Sequence, residues 1–297
     1  MVAPVITRAD IVVGLTDLGL SAGDRAMVHS SLSSFGRVEG GAPTVIGALM
    51  DVLTDEGLLL MPSFNHFVPF KRGQCGYYSP AEARTFNGTI PETFRRMSGV
   101  WRSLSPTHPF AAWGRQAEGL LCRHHLTLTM GSDSPLGRLG QEGGYGLFLG
   151  TDYTTNTYKH VVETTLNAPC LGHRTEELPV VLPSGETLKL RTWSYRESGC
   201  PISDPNDPVD TEMAAQGLHR RARIGRAIVT LFRLVDCFEV LSAMFAHGHG
   251  GHPPCCECRI RAWASPHQVE SDWDAEGQCL LPWSPSRDVP PMAYRRP

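Results

Sequence analysis

Residues 25–64 read RAMVHSSLSSFGRVEGGAPTVIGALMDVLTDEGLLLMPSF, and the order of short elements in this stretch decides the fold class. RAMVH (25–29) is a brief apolar run of the kind that forms a buried strand. Ser30, Ser31, Leu32, Ser33 and Ser34, followed by Gly36, Gly40 and Gly41, then break any regular period. A helical pattern runs from Pro43 to Leu53, and Pro43 suits a first helical turn, where its missing N–H leaves no bond unmade. GLLLMPSF (57–64) is a second buried strand. Strand, loop, helix and strand in succession predict an α/β protein, with a central mixed β-sheet flanked by helices and a smaller late α+β portion.

Reading outward, Thr7 is an N-cap with Asp10 three residues on, and Ile11, Val12, Leu15 and Leu18 form one helical stripe that Gly19 ends. Downstream, 65–84 is rich in Gly, Pro and Tyr and reads as a long loop, and Pro91 opens a short helix ending near Gly99. Strands are expected at 110–113 and 146–150, with a helix over 116–124 between them. Asn156–Leu166 reads as a helix, 178–181 and 188–193 as a hairpin around Pro183-Ser184-Gly185, and Cys200–Asp210 as a proline-rich loop. Ala222–Phe245 is the last long helical pattern. From His247 the composition shifts to Gly, His, Pro and Cys, and 282–297 reads as a loose tail. No repeat or linker divides the chain, so one domain is expected over 1–297, with its core at about 10–246 and a divergent tail at 247–297.

The composition closes off other classes. With 297 residues, 41% of them hydrophobic, the chain has enough apolar material for a substantial core. A net charge of −3 argues against a nucleic-acid binder. No apolar run reaches the roughly 18 residues of a membrane span. No basic n-region precedes an apolar stretch, and nine scattered cysteines do not make a disulfide framework. A cytoplasmic, thiol-reduced protein is the expectation, and a homo-oligomer stays open.

Few motifs carry chemistry. Gly19-Leu20-Ser21-Ala22-Gly23 fits G-x-S-x-G, but it lies between a helix and a strand instead of at the strand-to-helix elbow a nucleophile needs. No P-loop or dinucleotide fingerprint is present. The loop from His29 into the helix at Pro43 could place backbone N–H groups and a helix end around a phosphate, or could serve only as a tight β–α turn. His160 and Glu163, three apart on a helix, share a face with Thr157, and a histidine oriented by a carboxylate is a general-base arrangement. His247, His249, His252, Cys255, Cys256 and Cys258 have soft-metal side chains, but the Cys255/Cys258 spacing has no second CxxC, so no metal is expected.

Read together, these segments resemble the aminoglycoside 3-N-acetyltransferase family. The resemblance is carried by His29-Ser30-Ser31-Leu32 with Phe35-Gly36, Val38 and Gly40-Gly41, then by Leu59-Leu60-Met61-Pro62. It continues through Gly88-x-x-Pro91-Glu92-x-Phe94-Arg95, Arg102-Ser103, Pro106-Thr107-His108, and Ala112 with Gly114. Ser134-Pro135-Leu136 with Leu139, Asn156-Thr157-x-x-His160-x-x-Glu163, and Ile224-Gly225-x-Ala227 complete it. Ser105 and Pro109 stand where the family pattern has His and Ser.

The resemblance implies transfer of acetyl from acetyl-coenzyme A to an amine, the 3-amino group of an aminoglycoside, by direct attack in a ternary complex. The alternative is the same transfer to a non-aminoglycoside amine. It implies His160 as base, Glu163 as its orienting partner and Thr157 as a donor near the oxyanion, with His108 as rival base. Coenzyme contacts are expected from Ser30, Ser31, Leu32, Ser33, Arg37, Val38, Gly40 and Gly41, and from Ser105, Thr107, His108 and Phe110. Asp152, Glu176 and Glu177 are the candidates for holding a polycationic acceptor.

Overall fold

The computed structural model describes residues 5–166, 168, 173–192, 200, 208–258, 268–271 and 289–297. The chain enters through α1 (Arg8–Asp17), β1 (Arg25–Ser30), α2 (Ala42–Leu53) and β2 (Leu58–Pro62). It continues through α3 (Thr89–Phe94), β3 (Trp101–Arg102), β4 (Phe110–Gly114), α4 (Ala117–Leu121), α5 (Pro135–Gln141), β5 (Tyr145–Leu149) and α6 (Tyr158–Thr165). Next come β6 (His173–Thr175), β7 (Leu178–Val181), β8 (Thr187–Leu190), α7 (Pro208–Ala215), β9 (His219–Ile224), β10 (Ala227–Arg233) and α8 (Leu234–His247). The short strands β11 (Gln268–Ser271) and β12 (Tyr294–Arg295) come last.

Eight strands form one mixed sheet in the order β12-β3-β4-β2-β1-β5-β10-β9. Its centre is parallel, β1 pairing with β2 on one side and β5 on the other, and the flanking pairs are antiparallel. Every residue of β2 is buried, as expected of a central strand covered on both faces. The period of two then sorts side chains between two layers. Ala26, Val28, Leu59 and Met61 pack with α1, α2 and α3, while Met27, Leu58, Leu60 and Phe148 pack with α4, α5, α6 and α8. The hairpin β7–β8 builds a smaller cluster with Tyr78 and Leu104.

The capping box at Thr7 and Asp10 is present, with the Thr7 hydroxyl accepting from Asp10 N–H. Four expectations need correction. Residues 222–245 are not one helix: they hold the end of β9, all of β10 and most of α8. AIVTLFR (227–233) is rich in β-branched and aromatic residues, and only 234–247 has the helical stripe. Gly225 sits in the hairpin turn at φ +59°, where a Cβ would also stand 2.7 Å from the Phe35 carbonyl oxygen. Helix α5 was not expected, although Ser134 caps it by accepting from Gly137 N–H and Pro135 opens it. Pro208 begins α7 instead of continuing a loop, and most of 200–210 lies outside the described residues. The expected loose tail includes β12, which pairs with β3 at the sheet edge.

Candidate active site

The three parallel strands point the same way, so their carboxyl ends meet along one edge of the sheet, where α/β proteins open their clefts. A cavity of ≈ 350 Å³ lies there. Ser30 lines it from the end of β1, Pro62 and Phe64 from the end of β2, and Thr151 from just beyond β5. Thr157, His160 and Thr164 close it from α6, and His66, Phe86, Asn87 and His108 from the facing loops.

The α6 side carries a hydrogen-bonded histidine–carboxylate pair. His160 Nδ1–H donates to Glu163 Oε2 at 2.7 Å, one helical turn on. The Glu163 side chain is fully buried, while that of His160 is 27% exposed. A buried carboxylate needs strong partners, and the imidazole N–H supplies one while fixing the ring so that Nε2 is the basic nitrogen. Thr157 precedes the first turn of α6, and its backbone N–H donates to His29 Nε2 at 3.4 Å. His29 is thereby an acceptor and neutral. Burial, with the nearby charge of Lys159, lowers its pKa to about 3.

The loop side is held by backbone groups. Asn65 Nδ2 donates to Pro106 O at 2.7 Å and Asn65 N–H to Thr107 O at 3.1 Å, tying the segment after β2 to the one before β4. His108 lies between Phe64, at 5.0 Å, and His66, at 5.7 Å between ring centroids. Its Nδ1–H donates to the Thr107 hydroxyl at 2.8 Å, which donates onward to Thr192 at 3.0 Å. Burial first, then neighbouring histidines, lowers its pKa well below the ordinary value. Behind this wall the fully buried Arg102 donates to the carbonyls of Pro80 (3.1 Å), Ala83 (2.6 Å) and Ser63 (2.9 Å). Burial lowers its pKa to about 10, which leaves it charged at neutral pH.

His160 and Glu163 are thus brought together on one helix, with Thr157 at its N-cap, and His160 and Thr157 line the cavity. Of the expected coenzyme residues, Ser30 and His108 also line it. The Ser31, Ser33 and Ser34 hydroxyls form a chain just outside, Ser34 donating to Gly150 O at 2.9 Å and lying 3.0 Å from the Ser31 hydroxyl. Leu32 is half-buried against the core, Val38 bridges to Ile6, and Gly41 caps α2 at φ +67°. Arg37 and Gly40 are exposed. Thr107 stands behind His108, while Ser105 and Phe110 are buried outside the cavity lining, Phe110 in the core.

The candidate acceptor carboxylates are not gathered at the cavity. Asp152 accepts from Thr154 N–H at 3.0 Å as a turn cap. Glu176 and Glu177 are exposed between β6 and β7, with Glu177 3.8 Å from Arg191. Among the described residues lining the cavity none is a carboxylate. Sequence reasoning assigned no role to His29, His66, Phe64, Asn87, Thr129 or Thr151. His29, at the strand end before the serine loop, offered the clearest signal.

Comparison with known proteins identifies the family. An aminoglycoside N(3)-acetyltransferase VII of Streptomyces paromomycinus is 32% identical over 258 residues, covering 79% of this chain and 89% of that one. A prophage-derived aminoglycoside N(3')-acetyltransferase-like protein, YokD, of Bacillus subtilis (strain 168) is 38% identical over 258 residues, covering 80% and 92%. The solved structure of AAC-IIIb in a binary complex with CoASH superposes with a TM-score of 0.72 at 27% identity, covering 84% of this chain and 100% of that one. The family model described as aminoglycoside 3-N-acetyltransferase matches residues 27–246, and the chain belongs to that family.

Proposed function

We propose that the protein transfers the acetyl group of acetyl-coenzyme A to an amino group, the 3-amino group, of an aminoglycoside, with His160 as general base and Glu163 as its positioning partner. The carrying observation is the 2.7 Å bond between His160 Nδ1 and the buried Glu163 carboxylate, on a helix that lines the cavity at the carboxyl ends of the parallel strands. The coenzyme-bound AAC-IIIb structure and the named relatives support the donor and acceptor classes. The cavity also suits a ligand rich in amide and carbonyl groups. Ser30 Oγ and Thr151 Oγ1 lie buried in its lining without a hydrogen-bond partner among the described residues.

Acetyl-coenzyme A supplies the acetyl group as a thioester. An alkylammonium cannot attack it: the attacking form is the neutral amine, one proton of the ammonium having gone to solvent, and a base must take a second proton as the nitrogen–carbon bond forms. His160 receives that proton at Nε2, and Glu163 stabilises the imidazolium through Nδ1–H. The nitrogen–carbon bond forms first, giving a tetrahedral adduct; its collapse breaks the carbon–sulfur bond, and the proton held at Nε2 passes to the departing thiolate. Thr157 is the candidate donor to the developing oxyanion.

A second reading, acetylation of a non-aminoglycoside amine, is favoured by the absence of a carboxylate among the described lining residues. Thiol release from acetyl-coenzyme A, followed with a panel of aminoglycosides and simple monoamines, separates the two. Turnover with tobramycin- and gentamicin-like compounds is expected. Turnover with a monoamine alone overturns the aminoglycoside reading.

A further inference from the structure

Among the described residues four imidazoles line the cavity, those of His29, His66, His108 and His160. Three have a ring nitrogen engaged within the chain. His29 Nε2 accepts from Thr157 N–H, His108 Nδ1–H donates to Thr107, and His160 Nδ1–H donates to Glu163. The His66 ring makes no hydrogen bond to a described residue, and meets Phe64 and His108 edge-on, each at 5.7 Å between centroids. It stands exposed where the segment after β2 borders the cavity. Partial desolvation, then the charge of Lys71, lowers its pKa, so at neutral pH the ring carries a lone pair.

The backbone that presents this ring is strained. His66 (φ +48°) and Phe67 (φ +62°) are successive left-handed residues with a Cβ, a conformation that costs energy at each. A fully buried asparagine holds them there. Asn65 Oδ1 accepts from Phe67 N–H at 3.1 Å, and its Nδ2 donates to Pro106 O at 2.7 Å. His66 N–H donates to Thr107 O at 3.3 Å, and Val68 N–H to Asn65 O at 3.0 Å. Phe67 is buried against His108, at 6.4 Å between centroids. The His66 side chain contributes none of these bonds, so folding by itself gives no reason for a histidine here instead of a glycine.

We infer that His66 binds the acetyl acceptor, its imidazole accepting an N–H or O–H of a group other than the reacting amine, and that Asn65 is the positioning residue that holds it there. This deepens the reading of the cavity as an acetyl-transfer site and rests on it. The lining has no carboxylate among the described residues, and a neutral imidazole can accept from an ammonium or a hydroxyl. An acceptor with several amino and hydroxyl groups can use that lone pair, whereas a monoamine cannot.

Steady-state kinetics of His66→Gly, His66→Val and His66→Asn, with urea midpoints and coenzyme A titration of each, test it. His66→Gly should raise KM for a tobramycin- or gentamicin-like acceptor about ten-fold, with kcat changing less and coenzyme A affinity nearly intact. It should be at least as stable as wild type, since glycine adopts this backbone freely, whereas His66→Val should be less stable. His66→Asn should recover much of the KM, because asparagine tolerates the left-handed region and its amide oxygen accepts. Unchanged KM in His66→Gly, or a matching loss of coenzyme A affinity, overturns the role in acceptor binding. His66→Val as stable as His66→Gly overturns the strained presentation. Wild-type protein that releases no thiol with these acceptors overturns the aminoglycoside reading itself, a result seen without any substitution and so separable from failure at His66.

Discussion

His160 and His108 line the same cavity from opposite walls, yet their surroundings give them opposite properties. His160 is part-exposed and bonded to a buried carboxylate, so a proton arriving on its ring meets a countercharge. His108 is buried among Phe64, Phe67 and His66 and bonded to a hydroxyl, so a proton arriving there meets only desolvation and other histidines. Residue type does not select a general base; the partner of the second nitrogen does. The largest effect should follow from this difference. His160→Ala is expected to lower turnover by roughly a hundred- to ten-thousand-fold with coenzyme affinity nearly intact. His108→Asn should keep most of its turnover. If steady-state kinetics and coenzyme titration show the reverse, the two walls have been assigned the wrong way round.

The histidines held neutral make a second prediction, on stability. Burial lowers the pKa of His29 to about 3 and of His124 to about 4, and lowers that of His108 well below its ordinary value. In the unfolded chain each takes up a proton below about pH 6.5, while in the folded chain each stays neutral. Stability is therefore full above pH 6.5 and is lost as the pH falls from 6.5 toward the folded values. His29 and His124 each contribute about 1.4 kcal/mol per pH unit in that window, so the two together should cost about 3 kcal/mol between pH 7.5 and 5.5, and His108 acts in the same direction. Urea midpoints across that range measure it. A flat profile would mean that these rings carry protons in the fold and that His160 is not set apart from them.

How far the sequence reaches also differs between the two walls. The α6 wall was legible, because His160 and Glu163 lie within one helical turn and local spacing alone puts them on one face. The parallel core was legible for a similar reason: β1, α2 and β2 follow one another, and their apolar runs are continuous. The loop wall was not. Asn65 and Pro106, or Thr107 and Thr192, meet only after the sheet has brought distant segments together, and no periodicity records that. The β9–β10 hairpin was misread because its apolar residues continue without a break into α8, so the helical stripe of 234–247 was extended backwards over strand residues. Gly225 was the overlooked punctuation. Asp152, Glu176 and Glu177 lie near α6 in sequence, and nearness in sequence does not by itself bring a side chain to a cavity.

Glu163→Gln sharpens the comparison, because it keeps the shape of the α6 pair and removes its charge. Turnover should fall by roughly ten- to a hundred-fold, between wild type and His160→Ala. The acidic limb of the pH–rate profile should move to lower pH, since an imidazolium without its anion gives up its proton more readily. A purely structural Glu163 would change stability and leave the limb in place. Rapid pH-dependent kinetics of the folded variant distinguish the two.

The smallest effect belongs to the other wall. Thr107 donates its hydroxyl proton to Thr192 at 3.0 Å, so its oxygen is available to accept from His108 Nδ1–H at 2.8 Å, and Thr192 lies 2.7 Å from Thr129. Thr107→Val preserves the shape of the side chain and removes that acceptor, leaving a buried N–H without it. A lost partner of this kind costs about 1–3 kcal/mol, because the desolvated donor cannot recover its bond to water. Chemical denaturation should show this loss, and Thr107→Ser should recover most of it by restoring the hydroxyl. Turnover should change far less than in Glu163→Gln, since no charge is removed near the reacting nitrogen. A variant as stable as wild type would mean that the hydroxyl chain does not hold His108, and the contrast between the two histidines would then rest on burial alone.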